Sequence, residues 1–306
     1  MSVAARGVLA MVAACVIWGL STMFYKALDH IPALVVLAHR TIWSFVFFFL
    51  VLAVQRRLAA LRSVFANRAQ LGIIVLAAMM VSVNWGLFIW AIQVGRAVEA
   101  SLGYFIFPLV SVLLGLVFFG EALSRLKLVA VALASLAVAV LTFGLGAAPY
   151  ISIVLALTFG VYSVVKKRAE IGPVVSVTAE VLLLLPIAGL WLWSVQAQGS
   201  AAFGVTTLDT IMLIFAGPLT GFPLVLFAYA SRRINLATVG LVHYINPSLQ
   251  FLVATLIFVE PFTRWHSIAF PLIWAALAIY SFEALRQERR SRRSAISSGT
   301  SATTLK

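Results

Sequence analysis

The sequence predicts an all-α membrane protein with ten transmembrane helices arranged as two inverted five-helix repeats. Three observations carry that expectation. Hydrophobic residues make up 63% of the chain and charged residues 10%, too little polar surface to keep a soluble domain of this size in water. The apolar residues gather into segments of roughly 20, the length that crosses a hydrocarbon core of ~30 Å. Polar landmarks also recur in the same order at a spacing near 140 residues. Strand-period alternation is missing, which excludes a membrane β-barrel.

The segments fall at 7–26, 32–55, 70–95, 98–120, 126–144, 149–167, 173–196, 208–231, 237–259 and 265–284. Pro32 and Pro173 open helices, since the first turn tolerates a residue without an N–H. Gly144-Leu145-Gly146 before Pro149 reads as a turn. The loops left over are short, so no extramembrane catalytic domain fits.

The charges set the orientation. With the N-terminus in the cytoplasm, 18 of the 22 Lys and Arg residues fall on cytoplasmic segments or in the tail. The other face carries only Lys26, Arg96 and Arg264, and Arg40 lies inside a span. This positive-inside bias predicts a multi-pass protein of the cytoplasmic (inner) membrane with both termini cytoplasmic. The net charge of +13 is thereby accounted for by membrane flanks, and nucleic acid is not an expected partner. The tail, 286–306, is basic and Ser/Thr-rich; it predicts disorder and contact with anionic inner-leaflet lipid. The single cysteine, Cys15, lies in the first apolar segment and excludes an intramolecular disulfide. Val12-Ala13-Ala14-Cys15 faintly resembles a lipoprotein cleavage box, but the apolar run before it is too short for a signal peptide.

Trp18-Gly19, Lys26, Asp29 and Pro32 reappear 141 residues later as Phe159-Gly160, Lys167, Glu170 and Pro173. Ala91, Pro108 and Glu121 recur 139 residues on as Ala230, Pro247 and Glu260, and Tyr104-Phe105 aligns with His243-Tyr244. The chain therefore divides into repeats at 1–146 and 147–285. Five helices is an odd number, so the second repeat enters the membrane from the opposite side. Inverted repeats of this kind recur in secondary transporters, with the substrate site between the halves; a duplication can also simply build a stable bundle.

Asn84-Trp85, Ile89-Trp90-Ala91, Gly95-Arg96, the run EASLGYFI over 99–106 and Pro108-Leu109 resemble the RarD branch of the EamA family. Ile17-Trp18-Gly19 and Ala38-His39-Arg40 carry the same resemblance, which spans about residues 5–285. EamA proteins belong to the drug/metabolite transporter superfamily. The resemblance implies two five-helix repeats and a carrier of a small organic solute, and chloramphenicol sensitivity belongs to the branch's naming tradition. Two positions depart from the expected pattern: Phe107 stands where an Asn is expected, and His243 where an amide is expected.

Charged residues at membrane depth face a cavity or a partner. Arg40, beside His39 in the second helix, either holds a substrate carboxylate, which its planar fork suits, or pairs with Glu99. Glu180 reads as a lone buried carboxylate, protonated by desolvation; it binds a substrate amine, carries a proton, or bonds a neighbouring helix. His39 and His243 titrate near neutral pH when unperturbed. Asn84, Trp85, Phe88, Tyr104, Phe105, Tyr244 and Asn246 are aromatic and amide candidates for a substrate wall, or they are packing and interfacial anchors. Pro108 and Pro247 are candidate hinges or static kinks. Glu121 and Glu260 are expected to pair with Arg125 and Arg264, one turn away. No metal site and no cofactor is expected. No Walker loop, G-x-S-x-G or H-E-x-x-H motif occurs, which argues against ATP-driven transport and against hydrolytic chemistry. The expected function is secondary transport of a small organic metabolite or drug-like solute, as exporter or exchanger. The competing readings are an accessory membrane subunit and an intramembrane enzyme of unrecognised motif.

Overall fold

The computed structural model describes residues 3–303 apart from 121–123, 147, 169–170, 200–201, 232 and 235, and over 287–303 it describes the backbone alone. Among the described residues every regular element is helical: α1 (Val3–Ala27), α2 (Ala33–Val54), α3 (Leu58–Ala66), α4 (Arg68–Gln93), α5 (Ala97–Phe119), α6 (Arg125–Leu145), α7 (Tyr150–Arg168), α8 (Pro173–Ala197), α9 (Thr207–Ser231), α10 (Leu236–His243), α11 (Ile245–Leu252) and α12 (Arg264–Thr303). A π-helical turn, Val253–Ile257, follows α11. Among the described residues eight helices are long and apolar enough to cross a membrane; Tyr150–Lys166 and Ile245–Ile257 are shorter apolar helices. Strongly exposed Val54, Phe143 and Trp193 show how much apolar surface the bundle leaves for lipid.

Local chemistry sets the helix ends. The Asn67 side chain accepts from Ala69 N at 3.0 Å and Gln70 N at 3.2 Å, capping α4. Ser124 caps α6 through Lys127 N. Gly120 and Gly146 close α5 and α6 in the left-handed conformation that glycine adopts without a Cβ clash. The backbone of α12 continues as helix past its apolar part into the basic tail, where composition predicts disorder.

Two elements differ from the sequence expectation. Residues 56–69 read as a loop but contain α3, whose Leu61 and Val64 pack with Leu52, Ile74, Val175 and Ala179. The ninth segment, read as one helix over 237–259, is interrupted at Tyr244 between α10 and α11 and ends in the π turn. Proline lacks an N–H and crowds the carbonyl four residues earlier; for Pro247 that residue is His243, where α10 stops.

The main helix pairs join the first 146 residues to the remainder: α6 with α12, α5 with α7, α1 with α9 through α11, α2 with α8 and α9, and α4 with α7 and α8. Close approach depends on small residues. A Cβ at Gly19 of α1 would stand 2.7 Å from Leu249 Cβ of α11, and one at Gly160 of α7 would stand 2.8 Å from Leu114 of α5.

Candidate functional site

Arg40 is the eighth residue of α2, about 11 Å along the helix from its start. Its guanidinium carbon lies 4.0 Å from the centre of the Trp85 ring and 5.5 Å from that of Tyr25. The side chain is 7% exposed, its Nε is buried without a partner, and no described carboxylate pairs with it. The bridge to Glu99, the alternative to a substrate role, is not formed. Glu99 sits one turn from Arg96 on α5's first turn and takes that nearer cation at 2.5 Å. Desolvated cation–π contacts are worth about 2 kcal/mol, but rings supply no lone pairs for N–H groups.

From Arg40 a row of rings runs through the bundle. Tyr25 lies 6.0 Å from Phe88, Phe88 5.7 Å from Tyr104, and Tyr104 6.0 Å from Phe159. Phe159 stacks on Tyr162 at 5.8 Å, and the Tyr162 hydroxyl donates to Glu180 Oε2 at 3.0 Å. Asn84 fixes the middle of the row. Its Oδ1 accepts from the Tyr104 hydroxyl at 2.9 Å, and its Nδ2 donates at 3.0 Å to Leu155 O and to Thr158 Oγ1. With both ends of the amide engaged, Asn84 ties α4, α5 and α7 together.

Glu180 is not the lone carboxylate that the sequence predicts. Lys166 Nζ lies 2.6 Å from its Oε1, the Ser176 hydroxyl donates to the same oxygen at 2.9 Å, and Lys166 also bonds Ser176. In place of an isolated acid stands a carboxylate whose oxygens are engaged by Lys166, Ser176 and Tyr162. Lys166 opens the basic run 166–168, which reads as a membrane flank, and its long stem reaches back to the carboxylate.

The remaining candidates do not all meet at one point. His39 turns away from Arg40 and stacks on Phe203 of the α8–α9 connection at 4.9 Å. His243 lies 6.1 Å from Trp18 and 6.3 Å from Phe227, and its Nδ1 has no partner. Tyr244 packs with the main core at the break between α10 and α11. The Asn246 Oδ1 accepts from Gln250 at 3.1 Å, and its backbone carbonyl stands against Gly19. Pro108 lies within a continuous α5, while Pro247 follows the α10–α11 break. Glu121 lies outside the described residues.

Glu260 does not pair with Arg264, which lies instead over the Trp265 ring. Its carboxylate accepts from Ala97 N at 2.7 Å and Val98 N at 2.8 Å, capping α5 from the other half of the chain. Burial raises its carboxyl above the ordinary value, and the two backbone N–H bonds oppose that rise. Two free N–H groups at a positive helix end are a better partner than a single exposed arginine.

Sequence reasoning missed Tyr25, Phe159, Tyr162, Lys166 and Ser176 as site residues. A signal was present for some: Tyr162 and Lys166, like Ser176 and Glu180, are spaced i, i+4 and share a helix face. Tyr25 carries no such mark in an aromatic-rich chain.

Buried charges joined by an aromatic row, inside a bundle of long apolar helices, define a multi-pass α-helical membrane protein with a polar interior. Residues 5–143 match the EamA-like transporter family. The chain is 43% identical to Protein RarD of Streptomyces exfoliatus, covering 90% of this chain and 88% of that one. It is 39% identical to the uncharacterized transporter YojE of Bacillus subtilis, covering 94% and 97%, and 35% identical to Protein RarD of Escherichia coli, covering 93% and 97%. A crystal structure sharing 16% identity superposes with a TM-score of 0.62, covering 93% of this chain and 99% of that one, which shows the likeness of fold. The chain belongs to the EamA-like transporter family, among its RarD relatives.

Proposed function

We propose that this protein is a secondary transporter that moves a small organic metabolite or drug-like solute across the cytoplasmic membrane by alternating access, as exporter or exchanger. The single observation that carries this reading is the continuous row from Arg40 through Tyr25, Phe88, Tyr104, Phe159 and Tyr162 to Glu180. Aromatic walls with a few fixed polar groups suit a small organic ligand, and this one links a charge on α2 to a charge pair between α7 and α8.

The architecture we infer is ten spans in two inverted repeats, 1–146 and 147–285, counting the short Tyr150–Lys166 and the interrupted α10–α11 segment as spans. Two features support it. The main helix pairs map onto one another when α1, α2, α4, α5 and α6 are exchanged with α7, α8, α9, α10–α11 and α12. The Phe159–Tyr104 and Phe88–Tyr104 contacts also have counterparts, at the repeat offsets, in Trp18–His243 and Phe227–His243. A structure built this way alternates by rocking one set of helices on the other, with Pro108 and Pro247 as bending points. Both termini lie in the cytoplasm on this reading, and the tail beyond Arg286 rests on anionic lipid.

The test is flux in vesicles containing only the purified protein. Extracts of cells lacking the gene and cells overproducing it supply candidate solutes by comparison of intracellular and extracellular pools. Protein-dependent exchange of an enriched solute, without ATP, is the expected result. Absence of flux for every enriched solute, from well-folded protein, rejects the reading.

A further inference from the structure

We infer that Arg40, with Trp85 and Tyr25 around it, is the subsite that receives a carboxylate on a solute whose body is apolar; this rests on the transporter reading above and names the chemical class that it takes. The argument begins with an imbalance. Among the described residues Arg40 is a buried cation with two aromatic neighbours and no ion pair, and its Nε has no acceptor. Buried charges ordinarily keep a partner, and in the same chain the part-buried Lys166 has one in Glu180. One turn further along α2, on the same helical face, the Ser44 hydroxyl is fully buried and also lacks a partner. A guanidinium and a hydroxyl together present the donors that a carboxylate's two oxygens accept.

The neighbourhood selects against other anions. Tyr25 and Trp85 present ring surface to the guanidinium, with Phe88 behind Tyr25, which rewards an apolar body and gives a fully hydrated inorganic anion nothing for its lost water. Solutes carrying an amine in the same place meet a like charge. The neutral amide keeps the shape and loses the charge-assisted bonds.

The experiment uses the full-length purified protein and its thermal unfolding midpoint, because a ligand that binds only the folded state raises it. The probes are 3-phenylpropionate, 3-phenylpropanamide, 3-phenylpropylamine and sulfate. The carboxylate is expected to raise the midpoint at concentrations at least tenfold below those the amide or amine requires, with sulfate inert. Arg40→Gln should remove that preference, and Arg40→Lys should retain only part of it, since lysine lacks the planar fork. If Arg40→Gln does not fold, the wild-type charge series with Arg40→Lys decides. Equal responses to carboxylate and amide, a response to sulfate alone, no response to the carboxylate, or a preference that survives Arg40→Gln would each overturn the inference. Vesicle flux with no carboxylate preference keeps transport and discards the anion subsite; the preference without flux does the reverse.

Discussion

Arg40 and Glu180 are both charges buried in apolar helices, at 7% and 1% exposure, and they stand at the two ends of one aromatic row. They are held in opposite ways. Glu180 is satisfied by Lys166, Ser176 and Tyr162, whereas Arg40 has only ring faces. The first arrangement holds α7 against α8 and leaves little for a solute to gain. The second leaves a cation's donors unspent. A buried charge is thus a sign of structure when its partners are internal and a sign of binding when they are not.

The largest stability effect should come from breaking the satisfied end. Glu180→Ala leaves the part-buried Lys166 uncompensated and strands the Tyr162 and Ser176 hydroxyls, and a loss of about 3 kcal/mol is expected in the unfolding free energy of the solubilised protein. Replacing both partners, Lys166→Met with Glu180→Met, should lose far less than the two single changes summed, a coupling that a double-mutant cycle reads directly. Equal additive losses would show that the pair contributes no mutual stabilisation.

Asn84→Ala comes next. It removes three hydrogen bonds and strands the Tyr104 hydroxyl and the Thr158 side chain, an expected loss of about 2 kcal/mol. Tyr162→Phe keeps the ring in the row and deletes one bond to Glu180, so about 1 kcal/mol should go, measured by the same unfolding assay. The smallest effect on stability should follow Arg40→Met, which loses no internal hydrogen bond or ion pair and offsets the lost ring contacts by no longer burying an unpaired charge. A change within about 1 kcal/mol is expected, together with loss of vesicle flux. A large destabilisation by Arg40→Met would erase the contrast between the two ends.

The repeat itself contains a smaller comparison of the same kind. Pro108 and Pro247 are aligned by the 139-residue offset, yet α5 runs unbroken from Ala97 to Phe119 while its counterpart is split at Tyr244. The offset was legible because it joins unlike polar residues in an apolar background. The break was not, because a proline's effect depends on whether neighbouring helices hold the chain straight around the missing bond.

Composition, segment length and the distribution of Lys and Arg determine by themselves that this chain is a bundle of apolar helices. Lipid leaves a helix no other way to satisfy its backbone, so hydropathy and spacing are enough. The family resemblance was likewise legible in Asn84-Trp85 and in the run over 99–106. Partner choice between helices was decided only by tertiary structure, and among Glu99, Glu180 and Glu260 only Glu99 has a local partner, Arg96. Glu99 takes Arg96 and leaves Arg40 unpaired; Glu180 takes Lys166; Glu260 caps α5 across more than half of the chain. These are contests among groups brought close by packing, won by whichever donor lies nearest with the least desolvation left to pay. Sequence spacing ranks such partners only within a single helix.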